Sequence, residues 1–470
     1  MTDAPQHSNT LARVPTGIPG LDKVLLGGLF QSSMYIVRGT PGAGKTILSN
    51  QFAFHHAQAG GKVVYISLLA ESNTRMFAYL RSLDFFDDVP IGFDIVYLSA
   101  SHVLETLDLR ELQEMMRHAM QDLHASLIIL DGLSALSFIA TGPLELKKFI
   151  RNLQAYVDLA RCTVLLLQDE GEQLQALDTT VDGVLYLNNT TTAVGNVRYL
   201  YVSKLRGSGF LRGRHLFEIT EMGLTVYPRT EALLRHTLPP DVQHVGQAMF
   251  GVLGLDEMLG GGLPSGSTTV LLGTAGSGRT MLGLQFLAGG VAQGEPGLYF
   301  GFDERPSEVF AKSGSIGLLL KAAEARGLFV VQWQPMYENL LDMLVAQLLA
   351  TVSSHNIRRV FVDNLEGFQR ALDSDDRLTA VLAALATELR GRGVTTLFSL
   401  ELAEIMGVTI AFPVPGISMI ADNILLLRYV LHKTVLQRML SIVKMRRGAY
   451  NQGTMQLIID THGINVAALP

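Results

Sequence analysis

Cysteine is nearly absent: Cys162 is the only one in 470 residues. That excludes an internal disulfide framework, and its apolar setting in CTVLLL points to an inert core thiol. Charge is sparse too, at 17% of residues with a formal net charge of −6. A chain that lives on DNA ordinarily carries a basic patch that displaces phosphate counterions. Here the basic residues are scattered except around Lys204–Arg214 and Arg438–Arg447, so nucleic acid is not the expected partner. No apolar run approaches the roughly 18 uncharged residues that a membrane span needs. The N-terminal MTDAPQHSNT lacks a basic cluster leading into an apolar stretch, so it reads as a polar tail and not as a secretory signal. These absences favour a cytoplasmic protein. The twelve histidines show no metal-ligand spacing, and His55 and His56, adjacent on one helix, cannot face one ligand. Neither GxSxG nor HExxH occurs. Trp333 and the scattered aromatics suit core or interface better than base stacking, and Met115, Met116 and Met120 suit a packing face.

What is there is a repeat. Residues 17–28, GIPGLDKVLLGG, return as GVLGLDEMLGGG at 251–262. Each leads through an apolar strand, Met34–Arg38 or Thr269–Leu272, into a glycine-rich turn: GTPGAGKT at 39–46 and GTAGSGRT at 273–280. SLIILDGLSAL (126–136) is mirrored by RRVFVDNLEGF (358–368), and YVSKLRG (201–207) by IVKMRRG (442–448). These later landmarks and the glycine-rich turns recur 232 to 240 residues apart, a register that chance does not keep. Between the halves, YPRTEALLRHTLPPDVQH is polar, holds three prolines and keeps no long periodicity, as a linker would. The expected organisation is a tail at 1–13, a first domain at 14–228, a linker at 229–247 and a second domain at 248–470.

Within each half, continuous apolar runs such as KVVYISLL, LIILD and TVLLLQ suit parallel strands covered on both faces. ELQEMMRHAMQDLH and LELKKFIRNLQAYVDLA carry apolar residues at helical spacing. The fold class is α/β, doubly wound and present twice, each half a mostly parallel central sheet flanked by helices.

Gly39-Thr40-Pro41-Gly42-Ala43-Gly44-Lys45-Thr46 satisfies G-x-x-x-x-G-K-[ST] between a strand and a helix. Such glycines let backbone N–H groups close around phosphates, and the following helix directs its positive end at them. Lys45 is expected on the β/γ oxygens of ATP, with Thr46 and Asp131 on Mg²⁺. The second turn, Gly273, Thr274, Gly276, Ser277, Gly278, Arg279 and Thr280, keeps the glycines and the hydroxyl but puts arginine where lysine belongs. A wide planar guanidinium does not replace a point ammonium without consequence. Nucleotide binding with altered geometry and slowed chemistry is expected there, with Thr280 and Asp363 as the metal pair. An acidic spot follows the second apolar strand of each half, Glu71 after Ala70 and Asp303-Glu304, at nearly the same distance beyond Lys45 and Arg279. A carboxylate there can orient water or a hydroxyl toward a γ-phosphate.

The order GxxGLDxxLGGG, P-loop, acidic doublet, LIILD and K-L-R-G resembles the KaiC family of double-domain ATPases, from Val14 to about Val466. The resemblance implies two tandem RecA-like P-loop domains, a two-tiered hexameric ring with ATP between adjacent subunits, slow hydrolysis in the first tier and self-phosphorylation in the second. It further implies that Lys204 and Arg206, and likewise Lys444 and Arg446, reach a neighbouring subunit's γ-phosphate. Three departures stand out. Ala70 replaces the first acid of the front doublet, Arg447 occupies a usual glycine, and Ser418-Met419 keeps the serine but not the threonine of the clock-type phosphoacceptor pair. A two-site cycle is thereby excluded at those positions; single-site phosphorylation on Ser418 is not. The expected function is an ATP-driven switch assembled as a homo-oligomer and read by a signalling protein. A non-hydrolysing ATP-binding scaffold and a RecA-type recombinase are the alternatives, the latter disfavoured because the stretches after Asp131 and Asp363 are neutral and acidic.

Overall fold

The computed structural model describes residues 12–69, 73–101, 108–171, 177–192, 195–236, 245–335, 340–371, 377–403, 412–432 and 434–468. It divides into two compact units, Met1–Leu233 and Leu234–Pro470. Each unit is built on a nine-stranded sheet with the same strand order. In the first, the strand Met34–Gly39 lies between Thr163–Asp169 and Gly183–Thr192 and runs parallel to both. Leu127–Asp131, Val63–Ser67 and Ile95–Ser99 extend the parallel part on one side. Three antiparallel strands, Gly195–Leu205, His215–Thr220 and Gly223–Tyr227, extend the other. The second unit repeats this around Thr268–Gly273, which is flanked in parallel by Thr395–Glu401 and Asn423–His432.

Continuous apolar runs form these strands because both faces are covered. Along Met34–Gly39, Tyr35 and Val37 enter one core and Met34 and Ile36 the other, the two-residue alternation of a pleated strand. The helix Leu109–Gln121 is capped by Asp108, whose side chain accepts from the Arg110 amide, and buries Leu112, Met116 and Met120 on one stripe. Cys162 is buried as expected, and burial pushes its thiol up to about 12. The repeated GLD turn has a structural role. Asp256 accepts the amides of Phe250, Gly251 and Val252 at 2.7, 2.9 and 3.1 Å, while Asp22 holds the Thr16 amide at 2.9 Å.

Part of the stretch between the halves is helical: Thr230–His236 forms a helix. Its apolar Ala232 and Leu233 pack on the first core, and the Arg229 amide before it donates to His215 Nδ1 at 2.9 Å. Two turns are too short to register as a period in the sequence. Among the described residues no helix is long and apolar enough to cross a membrane.

Candidate active site

Both glycine-rich turns join a buried strand to a helix, Lys45–Gln58 in the first unit and Arg279–Ala292 in the second. The helices start after Gly44 and Gly278, at φ of 105° and 102°, a left-handed conformation that glycine enters without a Cβ penalty. A Cβ on Gly39 would fall 2.1 Å from the Leu187 carbonyl oxygen, so the turn can leave the sheet only with glycine there. Each helix thus aims its unpaired N–H groups into its own turn, an anion cradle by geometry.

In the first cradle Lys45 Nζ donates to the carbonyls of Gly39 (2.8 Å) and Thr40 (3.1 Å) and pairs with Asp169 Oδ1 at 2.9 Å. Asp131, at the end of its strand, accepts the Tyr65 hydroxyl at 2.6 Å. Burial pushes the Asp131 carboxyl above the usual range, against the pull of the Tyr65 hydrogen bond, the Lys45 charge and the Thr46 hydroxyl. In the second, Thr280 Oγ1 donates to Asp363 Oδ2 at 2.7 Å, Ser399 Oγ to Asp363 Oδ1 at 2.5 Å and Tyr299 OH to Asp363 Oδ2 at 3.3 Å. Thr46 with Asp131, and Thr280 with Asp363, are therefore brought together, one hydroxyl and one carboxylate of the hard-oxygen kind that magnesium takes while keeping waters. Among the described residues no cluster of three or more acidic, histidine or cysteine ligands forms a metal cage.

Buried polar atoms without a partner mark where a ligand fits. Thr40 Oγ1 is such an atom in the first cradle, and Thr274 Oγ1, Ser277 Oγ and Arg279 Nη1 in the second. Unpaired buried donors are costly, so their convergence on a glycine turn suits an oxyanion. Arg279 also forms an ion pair with Glu401, from the end of the strand beside the P-loop strand. Asp169 occupies the same register position beside Gly39. Each P-loop cation therefore sits against a carboxylate from its neighbour strand, a short one in the first unit and a longer one in the second.

Asp303 and Glu304 separate in role. Burial first, then the nearby Asp363 charge, pushes the Asp303 carboxyl up, with Glu401 adding to the shift and Arg370 and Arg279 opposing it. Glu304 is tied to Lys312 by an ion pair. Glu71 lies outside the described residues. The basic motifs near the end of each unit grip a loop of their own chain. Lys204 Nζ donates to the carbonyls of Asp178 (2.5 Å) and Val181 (2.6 Å), and Arg206 to that of Thr179 (2.8 Å). Lys444 does the same with Ser418 (2.6 Å) and Ala421 (2.7 Å), and Arg446 with Met419 (2.7 Å). Ser418 is partly exposed on that loop, and Met419 is 70% exposed.

Tyr65 and Tyr299, Asp169 and Glu401, and Ser399 belong to these sites although none of them lies in a sequence motif. The tyrosines and the strand-end acids were visible as mirrored positions once the halves are aligned strand by strand. Ser399, opposite Leu271 where the first unit puts Leu167 opposite Val37, carried no such signal.

A family model described as the KaiC ATPase matches residues 14–231 and again 248–470. The chain is similar to a circadian clock oscillator protein KaiC of Rippkaea orientalis, 25% identical over 96% of this chain and 88% of that protein. It is also similar to the circadian clock protein KaiC2 of Synechocystis, 26% identical over 99% of this chain and 83% of that one. A KaiC of Thermostichus vulcanus is 24% identical over 99% and 92% respectively.

Proposed function

Since the chain belongs to the KaiC family of ATPases, we propose that it is a nucleotide-dependent switch whose copies assemble into a ring, a hexamer, around bound ATP. Its modules span 14–228 and 248–470, joined through 229–247, and it works in the cytoplasm on a signalling protein. The observation that carries the reading is the first cradle, where Lys45, the Thr46 hydroxyl and Asp131 converge beside a backbone turn that only glycine permits. Magnesium nucleotide supplies the γ-phosphoryl group and neutralises its charge. Lys45 leaves Asp169 for the β/γ oxygens, Glu71 orients the attacking water, and Lys204 with Arg206 of a neighbouring copy face the same phosphate. Trans-acting cations of that kind are worth about 10³–10⁵ in rate. Turnover is slow because Ala70 leaves one acid where relatives of this type have two.

The second cradle holds nucleotide less tightly, with Arg279 paired to Glu401. Asp303 is its base, Glu304, Lys444 and Arg446 support it, and Ser418 is the single acceptor for self-phosphorylation. Size-exclusion chromatography with and without magnesium ATP tests the ring. The protein should shift from monomer or dimer to about six subunits, and Lys45→Ala should abolish the shift. Elution indifferent to nucleotide would sink the ring. Incubation with γ-labelled ATP tests the rest: released phosphate reports hydrolysis, and retained label that disappears in Ser418→Ala reports phosphorylation.

A second reading has its own support. The Arg279–Glu401 and Lys312–Glu304 pairs occupy the groups that chemistry in the second unit needs, as a scaffold that binds ATP without cleaving it would allow. Phosphate release no faster than that of Lys45→Ala would favour the scaffold.

A further inference from the structure

Beneath the first phosphate cradle lies a polar cluster that has no counterpart among the described residues of the second unit. Arg38 is the residue before Gly39 and is 1% exposed. Its guanidinium makes a two-pronged pair with Asp178, Nη1 to Oδ2 at 3.0 Å and Nη2 to Oδ1 at 2.6 Å. It also donates to the Tyr186 hydroxyl at 2.6 Å and to Gln168 Oε1 at 3.0 Å. Strand register places Leu272 where Arg38 stands, Leu400 for Gln168 and Leu426 for Tyr186. The equivalent of Asp178 follows from the loop that Lys204 and Lys444 grip. Asp182 and Asp422 each accept the amide that opens the P-loop strand, Met34 or Thr268, at 3.0 Å. Four residues before them lie Asp178 and Ser418, and the carbonyl of each accepts from Lys204 or Lys444. Where one unit has a serine hydroxyl on that loop, the other has a carboxylate clamped to the phosphate-loop strand.

The contacts make a continuous chain. Lys45 donates to the Gly39 carbonyl, Gly39 follows Arg38, Arg38 clamps Asp178, and the Asp178 carbonyl receives Lys204. A planar fork on a carboxylate fixes distance and orientation together, and the buried Arg38 holds the partly exposed Asp178 because losing the carboxylate would strand its charge. We infer that Arg38 and Asp178 are positioning residues for ATP hydrolysis: they tie the cradle of one subunit to the loop that holds its own Lys204 toward the neighbour. Neither touches the phosphates. Their effect is to set where the lysine stands, so an empty or filled cradle is felt at the next site of the ring. The second unit, with leucines and Ser418 at these places, has no such clamp among its described residues, and its loop meets the P-loop strand through Asp422, at the end of that strand away from the turn. This inference rests on the reading of Lys204 as a cation that serves the neighbouring site.

The test copies one unit into the other. Arg38→Leu/Asp178→Ser removes both members of the pair, which avoids stranding either charge; Asp178→Asn, which keeps one acceptor for Arg38 but removes the carboxylate charge, is the companion if the double variant does not fold. Lys204→Ala is measured beside them. The expected result is nucleotide affinity by calorimetry within about twofold of the parent, with kcat lower by about tenfold or more. Adding Lys204→Ala to the double variant should lower kcat little further, because residues acting as one unit are not additive. If Lys204→Ala loses turnover while the double variant and Asp178→Asn keep it, the clamp has no part in positioning and the inference fails, with the trans-acting lysine left standing. If Lys204→Ala itself turns over like the parent, the reading of that lysine fails first, and this one with it.

Discussion

The two phosphate cradles share a backbone and differ in the cation. In the first, a lysine ammonium rests on two carbonyls and on Asp169. In the second, a guanidinium rests on Glu401 and leaves a buried Nη1 without a partner. A point charge on a flexible stem can swing from carboxylate to phosphate without losing its donors, whereas a planar fork has a fixed set of directions to satisfy. The same strands, the same tyrosine and the same aspartate–threonine pair therefore hold two cradles whose cations are engaged differently. Duplication preserved the scaffold, and the difference was written into side chains at its rim.

The sharpest way to break that comparison is to remove each cation in turn. Lys45→Ala should lower the rate of phosphate release by about 10²–10³, the usual size of a lost transition-state charge contact. Arg279→Ala should leave the rate within about threefold, since most turnover is proposed to lie in the first unit. Equal losses would erase the division between the halves. Restoring the lysine is the next largest effect: in a Lys45→Ala background, Arg279→Lys should tighten nucleotide binding at the second cradle by about tenfold, read by calorimetry. Glu401→Gln should do the same more weakly, by about two- to fivefold, because it frees the guanidinium of a partly exposed carboxylate but leaves its fork in place. No change on either substitution would mean that the pair does not compete with nucleotide.

The smallest effect is on stability. Asp131 has its folded carboxyl pushed above the usual range, chiefly by burial. For an acid shifted that way the folded chain binds more protons than the unfolded one, so its charge costs stability as pH rises through the carboxylate range. Asp131→Asn should therefore raise the nucleotide-free Tm by about 1–3 °C near neutral pH. The gain should shrink toward pH 4, and the rise in Tm given by magnesium nucleotide should be lost, all measured by calorimetric melting. A lower Tm in the variant would show that the Tyr65 and Thr46 hydrogen bonds outweigh the burial.

Much of this was legible before any coordinates. The doubled GLD turn, the glycine loops and the LIILD and RRVFVD strands placed both sheets and both cradles, because continuous apolar runs and obligatory glycines are local signals. Lys45 and Thr46 follow from the P-loop spacing, and Asp131 from its place at the end of the LIILD strand in the repeated order of landmarks. What stayed hidden depends on register across the sheet. Asp169 and Glu401 reach the P-loop cations from a neighbouring strand more than 120 residues away. Arg38 looks like an ordinary strand residue until Asp178 is seen against it, 140 residues distant. The helix Thr230–His236, inside the expected linker, was too short to show a period and owes its form to packing on the first core.

The unequal cradles can be examined most directly by titrating magnesium ATP into the intact protein and into Lys45→Ala under the same calorimetric conditions. The account predicts a tight binding step in the intact protein that vanishes in the variant, leaving only a weaker step from the cradle with Arg279. An unchanged isotherm, or no heat in the intact protein at all, would contradict it.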